Sequence, residues 1–429
     1  MKQDQTEKKR AAFHHVGCKV NSYEIEKMKQ LLEHEGYEIV PFDSVADVYV
    51  INTCSVTAIA DKKSRQMLRR ARRRNPGAIV VAAGCYVQRQ DINPEDLECD
   101  IILGNDMKHT IVEQLKQFQG LQKQVIARLD INRANEEYED WTLSDTGDAS
   151  SHTRAFIKIQ DGCDQFCTYC TIPYLRGRTR SRSKKSIIEE IRRVTEDGYK
   201  EAVFTGIHIS SYNDEGALLA DLCHLIDAET DLKRLRLGSL EPRIVTEDFV
   251  KRISKLSCIC PHFHLSLQSG SDSVIKRMNR GYTTEEFKRG VGLLREYFDN
   301  PAITCDVIAG FPGESEEEFE ETKEFVRGIG FYEMHVFPYS KRAGTKAAAM
   351  TGQLSNRLKS QRAGELIELA HVMTQEYLDA WKGKNGEVLW EKCDIVDDKR
   401  CWSGYTREYI RLTTFSEENL ENTITTVEI

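Results

Sequence analysis

Residues 155–170 read Ala155-Phe156-Ile157-Lys158-Ile159-Gln160-Asp161-Gly162-Cys163-Asp164-Gln165-Phe166-Cys167-Thr168-Tyr169-Cys170. A short β-type run, Ala155–Gln160, is followed by three cysteines spaced four and then three apart, with an aromatic residue before the last. Three thiolates hold three irons of a four-iron, four-sulfur cluster and leave the fourth iron without a protein ligand. A full set of four would close the cluster and suit electron transfer. The open iron is free to take a substrate or cofactor. A partial zinc knuckle is the other reading of three close cysteines, but no second cysteine or histidine pair follows at finger spacing.

Downstream of this run, apolar stretches alternate regularly with amphipathic ones. Further strands are expected at Ala202–Thr205, Leu232–Gly238, His262–Leu267, Ala302–Ala309 and Glu333–Phe337. Helices fit between them at Lys184–Asp197, Ala217–Asp227, Thr246–Lys255, Thr284–Tyr297 and Ser315–Gly328. Six strand–helix units read as an open barrel or as a doubly wound sheet. A barrel places its chemistry in the loops after the strands, and the three cysteines follow the first strand. A long helix is expected at Leu354–Trp381, then short β-type runs at Glu387–Trp390, Tyr409–Leu412 and Thr423–Ile429, read as a small five-stranded barrel.

Upstream, residues 12–120 show a second alternation. Strands are expected at Ala12–Val16, Tyr37–Val40, Val48–Asn52, Ile79–Ala83 and Ile101–Leu103, and helices at Ser22–Glu35, Ala58–Arg74 and Lys108–Phe118. This pattern predicts a small parallel α/β sandwich. Cys18, Cys54 and Cys85 each follow a strand, and open parallel sheets gather ligands beyond the carboxyl ends of their strands. A lone cysteine at such a place is more often a buried small hydrophobe. The expected domains are therefore 8–120, a polar linker 121–148, a core 149–375 and a C-terminal barrel 376–429.

The 429 residues are 40% hydrophobic and 30% charged, the composition of a globular chain with a substantial core. No apolar run approaches the ~20 residues that cross a bilayer. MKQDQTEKKR carries charge and no apolar stretch behind it, unlike a secretory signal. Thirteen cysteines, an odd number in a large chain, fit reduced thiols in the cytoplasm better than disulfides.

The local sequences around the upstream cysteines say more than their positions. Gly17-Cys18-Lys19-Val20-Asn21, Asn52-Thr53-Cys54-Ser55-Val56-Thr57 and Gly84-Cys85 strongly resemble the N-terminal cluster site of the methylthiotransferases, a family of radical S-adenosylmethionine (radical SAM) enzymes. The run Cys163-Asp-Gln-Phe-Cys167-Thr-Tyr-Cys170 resembles the radical SAM signature. Thr205-Gly206-Ile207-His208, Gly238-Ser-Leu-Glu-Pro-Arg243, His264-Leu-Ser-Leu-Gln-Ser-Gly-Ser-Asp272, Asp306-Val-Ile-Ala-Gly-Phe-Pro-Gly-Glu314 and Phe337-Pro-Tyr-Ser-Lys-Arg342 match the family in order. The resemblance runs along nearly the whole chain. It implies an N-terminal parallel α/β sandwich, a central open (β/α)6 radical SAM barrel and a small C-terminal TRAM-like β-barrel. GCKVN, NTCSVT and ADKKSR look like the subgroup that acts on N6-threonylcarbamoyladenosine at position 37 of tRNA.

The resemblance further implies two four-iron clusters with separate tasks, and S-adenosylmethionine as cofactor. Cys163, Cys167 and Cys170 are expected to hold the cluster that binds S-adenosylmethionine, whose reductive cleavage yields the radical that activates carbon 2 of the adenine. Cys18, Cys54 and Cys85 are expected to hold an auxiliary cluster that carries the sulfur, close to the first. Tyr169 is expected against the radical SAM cluster. Thr205 and Gly206 are expected at the cofactor's amino group, and Glu241, Gln268 and Gly310 at later strand ends of the same pocket. No catalytic side chain is expected beyond the cluster ligands. An unidentified electron-donor protein is an implied partner.

The net charge of −8 argues by itself against a polyanionic partner, but the charge is unevenly placed. Residues 62–74 carry eight Lys or Arg and no acid, and 176–185 carry six and no acid. Lys62, Arg65, Arg69 and Arg73 fall on one helical face, and Arg176, Arg178, Arg180 and Arg182 project to one side of an extended segment. Both rows are expected to meet tRNA phosphates. From Glu376 onward, seven Lys or Arg face twelve Asp or Glu, which disfavours nonspecific RNA binding, although Lys399, Arg400, Arg407 and Arg411 with Trp402 and Tyr405 make a candidate platform. Methylthiolation of isopentenyladenosine in tRNA, methylthiolation of a ribosomal-protein aspartate, and a non-enzymatic RNA-binding protein with structural metal are the competing readings.

Overall fold

The computed structural model describes residues 8–131 and 153–429. They divide into two compact units. The first comprises the described residues up to 131 together with 161–164 and 170–182. The second comprises 153–160, 165–169 and 183–429.

The first unit is built on a six-stranded parallel sheet. Its order across the sheet is Glu38–Val40, Arg10–His15, Val48–Thr53, Ile79–Gly84, Ile101–Leu103, Val125–Ala127. The central strand VYVINT is buried throughout, because helices cover both faces. Helices Lys19–His34 and Ile111–Leu121 pack Ile25, Met28, Leu32, Ile111 and Leu115 on one side. Helix Ala58–Arg74 packs Leu68 and Ala71 on the other, against Tyr49, Ile51 and Val80. The chain leaves Arg10–His15 and Val48–Thr53 toward opposite faces, so a crevice opens beyond the carboxyl ends of these two neighbours. The sheet also runs further than the sequence suggests: Val125–Ala127 is its sixth strand, so the expected linker cannot begin at 121. A three-residue run carries too little periodicity to be read as a strand. The remainder of that linker, from residue 132, lies outside the described residues.

In the second unit, strands Arg154–Lys158, Glu201–Thr205 and Arg234–Arg236 form one parallel sheet. Strands His262–Gln268, Ala302–Ala309 and Glu333–Pro338 form another. Parallel bridges Leu235–Ile259 and Leu240–Leu265 connect the two, giving the expected open run of six strands. Helices Lys184–Glu196, Leu219–Glu229, Glu247–Ile253, Thr284–Tyr297 and Glu316–Ile329 lie between them. The helices pack on one face, where Ala202, Phe204, Leu235, Phe263, Leu265, Cys305 and Val307 meet Ile191, Phe287, Leu294 and Val326.

Helix Asn356–Asp379 follows, then a four-stranded antiparallel sheet ordered Arg411–Phe415, Lys399–Thr406, Asn385–Val396, Ile424–Glu428. Four strands stand here in place of the five expected, and one of them, Lys399–Thr406, is not among the runs expected from the sequence. This sheet docks on the amino-terminal end of the barrel strands. Arg234 donates to the carbonyls of Tyr405 and Glu387, Arg236 to that of Arg407, and Arg407 to those of Ser257 and Ile259. Tyr405 stacks on Tyr409 at 4.6 Å with Arg154 over both rings, and Trp402 is buried. Arg407, Tyr405 and Trp402 are thus used internally, and the RNA platform expected of them does not form. Among the described residues no helix is long and apolar enough to cross a membrane.

Candidate metal centres

In the first unit Cys18, Cys54 and Cys85 follow three adjacent strands, at the crevice described above. Cys18 is exposed, whereas Cys54 and Cys85 are buried. Two glycines set this geometry. Gly17 (φ +104°) and Gly84 (φ +96°) occupy the left-handed region immediately before Cys18 and Cys85. A Cβ on Gly17 would lie 2.6 Å from Cys54 Sγ, and one on Gly84 2.5 Å from Asn52 Oδ1. The asparagines of the two motifs tie the strand ends together. Buried Asn21 donates to the carbonyls of Val16 (2.7 Å) and Thr53 (3.0 Å), and Asn52 donates to that of Asn21 (3.0 Å). The Ser64 hydroxyl holds the backbone of Cys54, accepting from its N–H at 3.2 Å. Thr57 caps helix Ala58–Arg74 by accepting from Ala60 N–H.

The three thiols sense one another. Burial, with Cys85 and Cys18 nearby, pushes the Cys54 thiol up to about 12. Three soft thiol donors at neighbouring strand ends, with one exposed edge at Cys18, suit an iron–sulfur cluster with an open corner. Asn105 Nδ2 lies 3.7 Å from Cys85 Sγ, within reach of a hydrogen bond to a thiolate. Beneath the thiols, Arg176 donates to Glu24 (2.8 Å), Asp161 (3.0 Å) and Asn21 Oδ1 (3.0 Å), and Lys108 pairs with Glu24. Burial opposes the Arg176 charge, yet Asp161, Glu24 and Cys85 raise its pKa well above the ordinary value.

This network corrects the sequence reading of the arginine row. Arg176 and Arg182 are fully buried, and Arg180 is buried against Asp106. None of the three can reach a phosphate. Only Arg178 is exposed, and it pairs with Asp164 at 3.0 Å. The segment is not extended throughout: Ile172–Arg176 is a helix turn, Gly177 has φ +75° and only Arg180–Ser181 is a strand, so spacing by two does not set one face along the row. Gly162 shows how tightly the segment closes, since a Cβ there would lie 1.8 Å from the Arg178 carbonyl. By contrast Lys62, Arg65, Arg69 and Arg73 are all exposed on their helix. Arg65 donates to the Tyr86 hydroxyl and Arg69 pairs with Glu98, while among the described residues Lys62 and Arg73 have no ion pair.

Of the second cysteine set, Cys167 is buried, and Cys163 and Cys170 are half-buried. Cys163 N–H donates to the Gly177 carbonyl. In the second unit the loop around Cys167 is tied to residues 277–280. Thr168 N–H donates to Met278 O and its hydroxyl to Arg277 O. Asn279 donates to the carbonyls of Gln165 and Phe166, and Phe166 sits at φ +46°. A left-handed phenylalanine is a strained conformation held by its surroundings, a frequent mark of a functional loop. Arg280 Nη1 points at Cys167 Sγ (3.6 Å), and its other amino group donates to Ser266 O. Sequence reading passed over Arg280 and Asn279, which lie over a hundred residues from the cysteines and carry no ligand chemistry themselves.

The six residues expected to surround the cofactor lie at carboxyl ends of the second unit's strands or in the cysteine loop. Tyr169 packs against the group Val274, Met278, Phe311, Tyr339 and Ala347. Thr205 is buried at the end of its strand, and a Cβ on Gly206 would press on Ile209 and the Gln160 carbonyl. Buried Glu241 pairs with Arg243 (2.9 Å), which reaches Gln165 Oε1 in the cysteine loop at 3.3 Å. Gln268 has φ +69° at a break in strand register. Gly310 has φ +75°, donates to Glu314 (2.8 Å), and leaves 2.4 Å between a Cβ and Lys359 Cγ.

Residues 157–326 match the Radical SAM superfamily, and residues 10–104 match Uncharacterized protein family UPF0004. The chain is 37% identical to the threonylcarbamoyladenosine tRNA methylthiotransferase MtaB of Bacillus subtilis, over 97% of this chain and 93% of that protein. It is 39% identical to the protein of the same name from Aquifex aeolicus, over 91% and 94%. The chain belongs to the radical SAM methylthiotransferase family. Its use of S-adenosylmethionine and of a four-iron cluster follows from that membership. Among solved structures, the radical S-adenosylmethionine methyltransferase TsrM from Kitasatospora setae superposes with a TM-score of 0.59 at 14% identity, covering 80% of this chain and 77% of that one. At that identity the likeness is one of fold.

Proposed function

We propose that this chain adds a methylthio group to carbon 2 of N6-threonylcarbamoyladenosine at position 37 of tRNA, next to the anticodon. One observation carries the reading. The likeness to relatives bearing that activity in their names spans nearly the whole chain, and the two matched regions contain all six motif cysteines. When bound, one cluster with S-adenosylmethionine supplies reductive radical formation at the adenine, and a second cluster supplies the sulfur.

The chain's own residues have defined tasks in this reading. Cys163, Cys167 and Cys170 hold the first cluster, with Arg280 donating to the Cys167 thiolate. Cys18, Cys54 and Cys85 hold the second, with Asn21, Asn52, Gly17 and Gly84 fixing the loops. Tyr169, Thr205, Gly206, Gln268 and Gly310 line the cofactor pocket, and Glu241 positions Arg243 against the cysteine loop. Lys62, Arg65, Arg69 and Arg73 offer an exposed basic face to tRNA phosphates. An electron-donor protein supplies single electrons, and the reaction runs in the cytoplasm, where tRNA is found.

The test is nucleoside mass spectrometry of tRNA from cells lacking the protein. The 2-methylthio form of N6-threonylcarbamoyladenosine disappears and its unmethylthiolated precursor accumulates. Unchanged levels, or loss of the methylthio form of isopentenyladenosine instead, overturn the reading.

A further inference from the structure

Side chains on the barrel strands alternate between two faces. Phe263, Leu265, Ile303, Cys305, Val307 and Met334 enter the core beneath the helices. Their neighbours His264, Thr304, Asp306 and His335 take the opposite face. Register aligns them across three strands, with His264 opposite Thr304 and Asp306 opposite His335. The result is a compact polar group in which one ligand atom each of His264, Asp306 and His335 lies within 4.8 Å of the others. The His264 ring is held at both nitrogens: Nδ1 is 2.9 Å from Thr304 Oγ1, and Nε2 is 3.3 Å from Asp306 Oδ2. The His335 ring lies 5.8 Å from it and is exposed. Among the described residues, neither Asp306 Oδ1 nor the His335 ring has a hydrogen-bond partner. A carboxylate oxygen and an imidazole are therefore presented side by side on a face that the core does not use. Asp306 and His335 stand three residues before their strands end at Ala309 and Pro338, about 10 Å below the carboxyl ends.

We propose that His264, Asp306 and His335 form the binding site for a polar substituent on the target base, one carrying N–H or O–H donors beside a carboxylate. This rests on the reading above, in which that substituent is threonylcarbamoyl. Asp306 Oδ1 accepts from the ureido N–H or the hydroxyl, His335 donates to the carboxylate, and His264 fixes Asp306. An apolar isoprenoid substituent satisfies neither group and leaves a desolvated carboxylate behind. A site built to hydrogen-bond a polar group discriminates strongly against an analogue lacking it. Hydrogen bonding suits the trio better than ligation of a cation, because both His264 nitrogens are already engaged and a metal would have to break one of those contacts.

The test uses the cluster-loaded enzyme and anticodon stem-loops bearing threonylcarbamoyladenosine, dimethylallyladenosine or plain adenosine. The variants are H335F, H335Q and D306N, with iron content measured for each. H335F and D306N are expected to lower kcat/KM for the threonylcarbamoyl stem-loop about 10–100-fold, the loss of one hydrogen bond to a charged group. H335Q, which keeps a donor, recovers part of it, and affinity for the adenosine stem-loop stays as in wild type. If wild type acts on the threonylcarbamoyl stem-loop and the variants keep its preference, the inference fails while the proposed function stands. Equal losses of affinity for all three stem-loops, or one equivalent of zinc or manganese bound by wild type and absent from H335F, also overturn it. If wild type ignores the threonylcarbamoyl stem-loop and modifies the dimethylallyl one, the proposed function itself fails.

Discussion

Replacing Arg176 with methionine separates two roles that its sequence position confuses, phosphate contact and internal charge balance. The guanidinium is fully buried and bonded to Glu24, Asp161 and Asn21. Methionine fills comparable space but leaves Glu24 to Lys108 and Asp161 to the more distant Arg180, 4.0 Å away. Removing one partner of a buried ion pair costs about 3–5 kcal/mol, because the remaining charge has no water to return to. For a unit of this size, 1 kcal/mol corresponds to about 2–4 °C, so the first unit's melting transition should fall by about 6–20 °C. Differential scanning calorimetry of the apo protein reads this directly. Arg178→Met is the matched control: its pair with Asp164 is exposed, and the change should stay within about 0.5 kcal/mol. If R176M melts like wild type while its tRNA affinity falls, Arg176 works on phosphate and not in the buried network.

Three further outcomes are expected. Gly17→Ala places a methyl group against Cys54 Sγ and, like replacing Cys18, Cys54 and Cys85 together by alanine, should lower anaerobically reconstituted iron from about eight to about four per chain, with reductive cofactor cleavage persisting. Iron staying near eight in the triple variant sinks the ligand assignment. Replacing Lys62, Arg65 and Arg73 by alanine should reduce the slope of log affinity against log salt for tRNA by roughly two to three, near one for each phosphate no longer neutralised, whereas an unchanged slope removes this helix from the interface. Glu318, bonded to Arg277, is held at about 2 against an ordinary 4.5, so its stabilisation is complete above pH 4.5 and lost as pH falls toward 2. Glu318→Gln should remove about 1 kcal/mol at pH 7, after allowing for solvent screening, and flatten that part of the urea-midpoint profile between pH 5 and 2.

The sequence by itself determined the two parallel architectures and the cysteine sets. Long alternations of apolar strands and amphipathic helices are local signals, and helices such as Ala58–Arg74 and Thr284–Tyr297 are found where the periodicity sets them. Cysteine spacing is likewise read along the chain, with no need of a partner elsewhere. Only the tertiary structure decided what the charged and turn residues do. Arg176 and Arg180 look like part of a phosphate-binding row until Glu24, Asp161 and Asp106 are brought to them by folding. Arg280 meets Cys167, and Arg407 meets Ser257, across more than a hundred residues. His264, Asp306 and His335 become a group only through strand register. An arginine's local sequence is the same whether water or a buried carboxylate awaits it, and that choice is made by the fold.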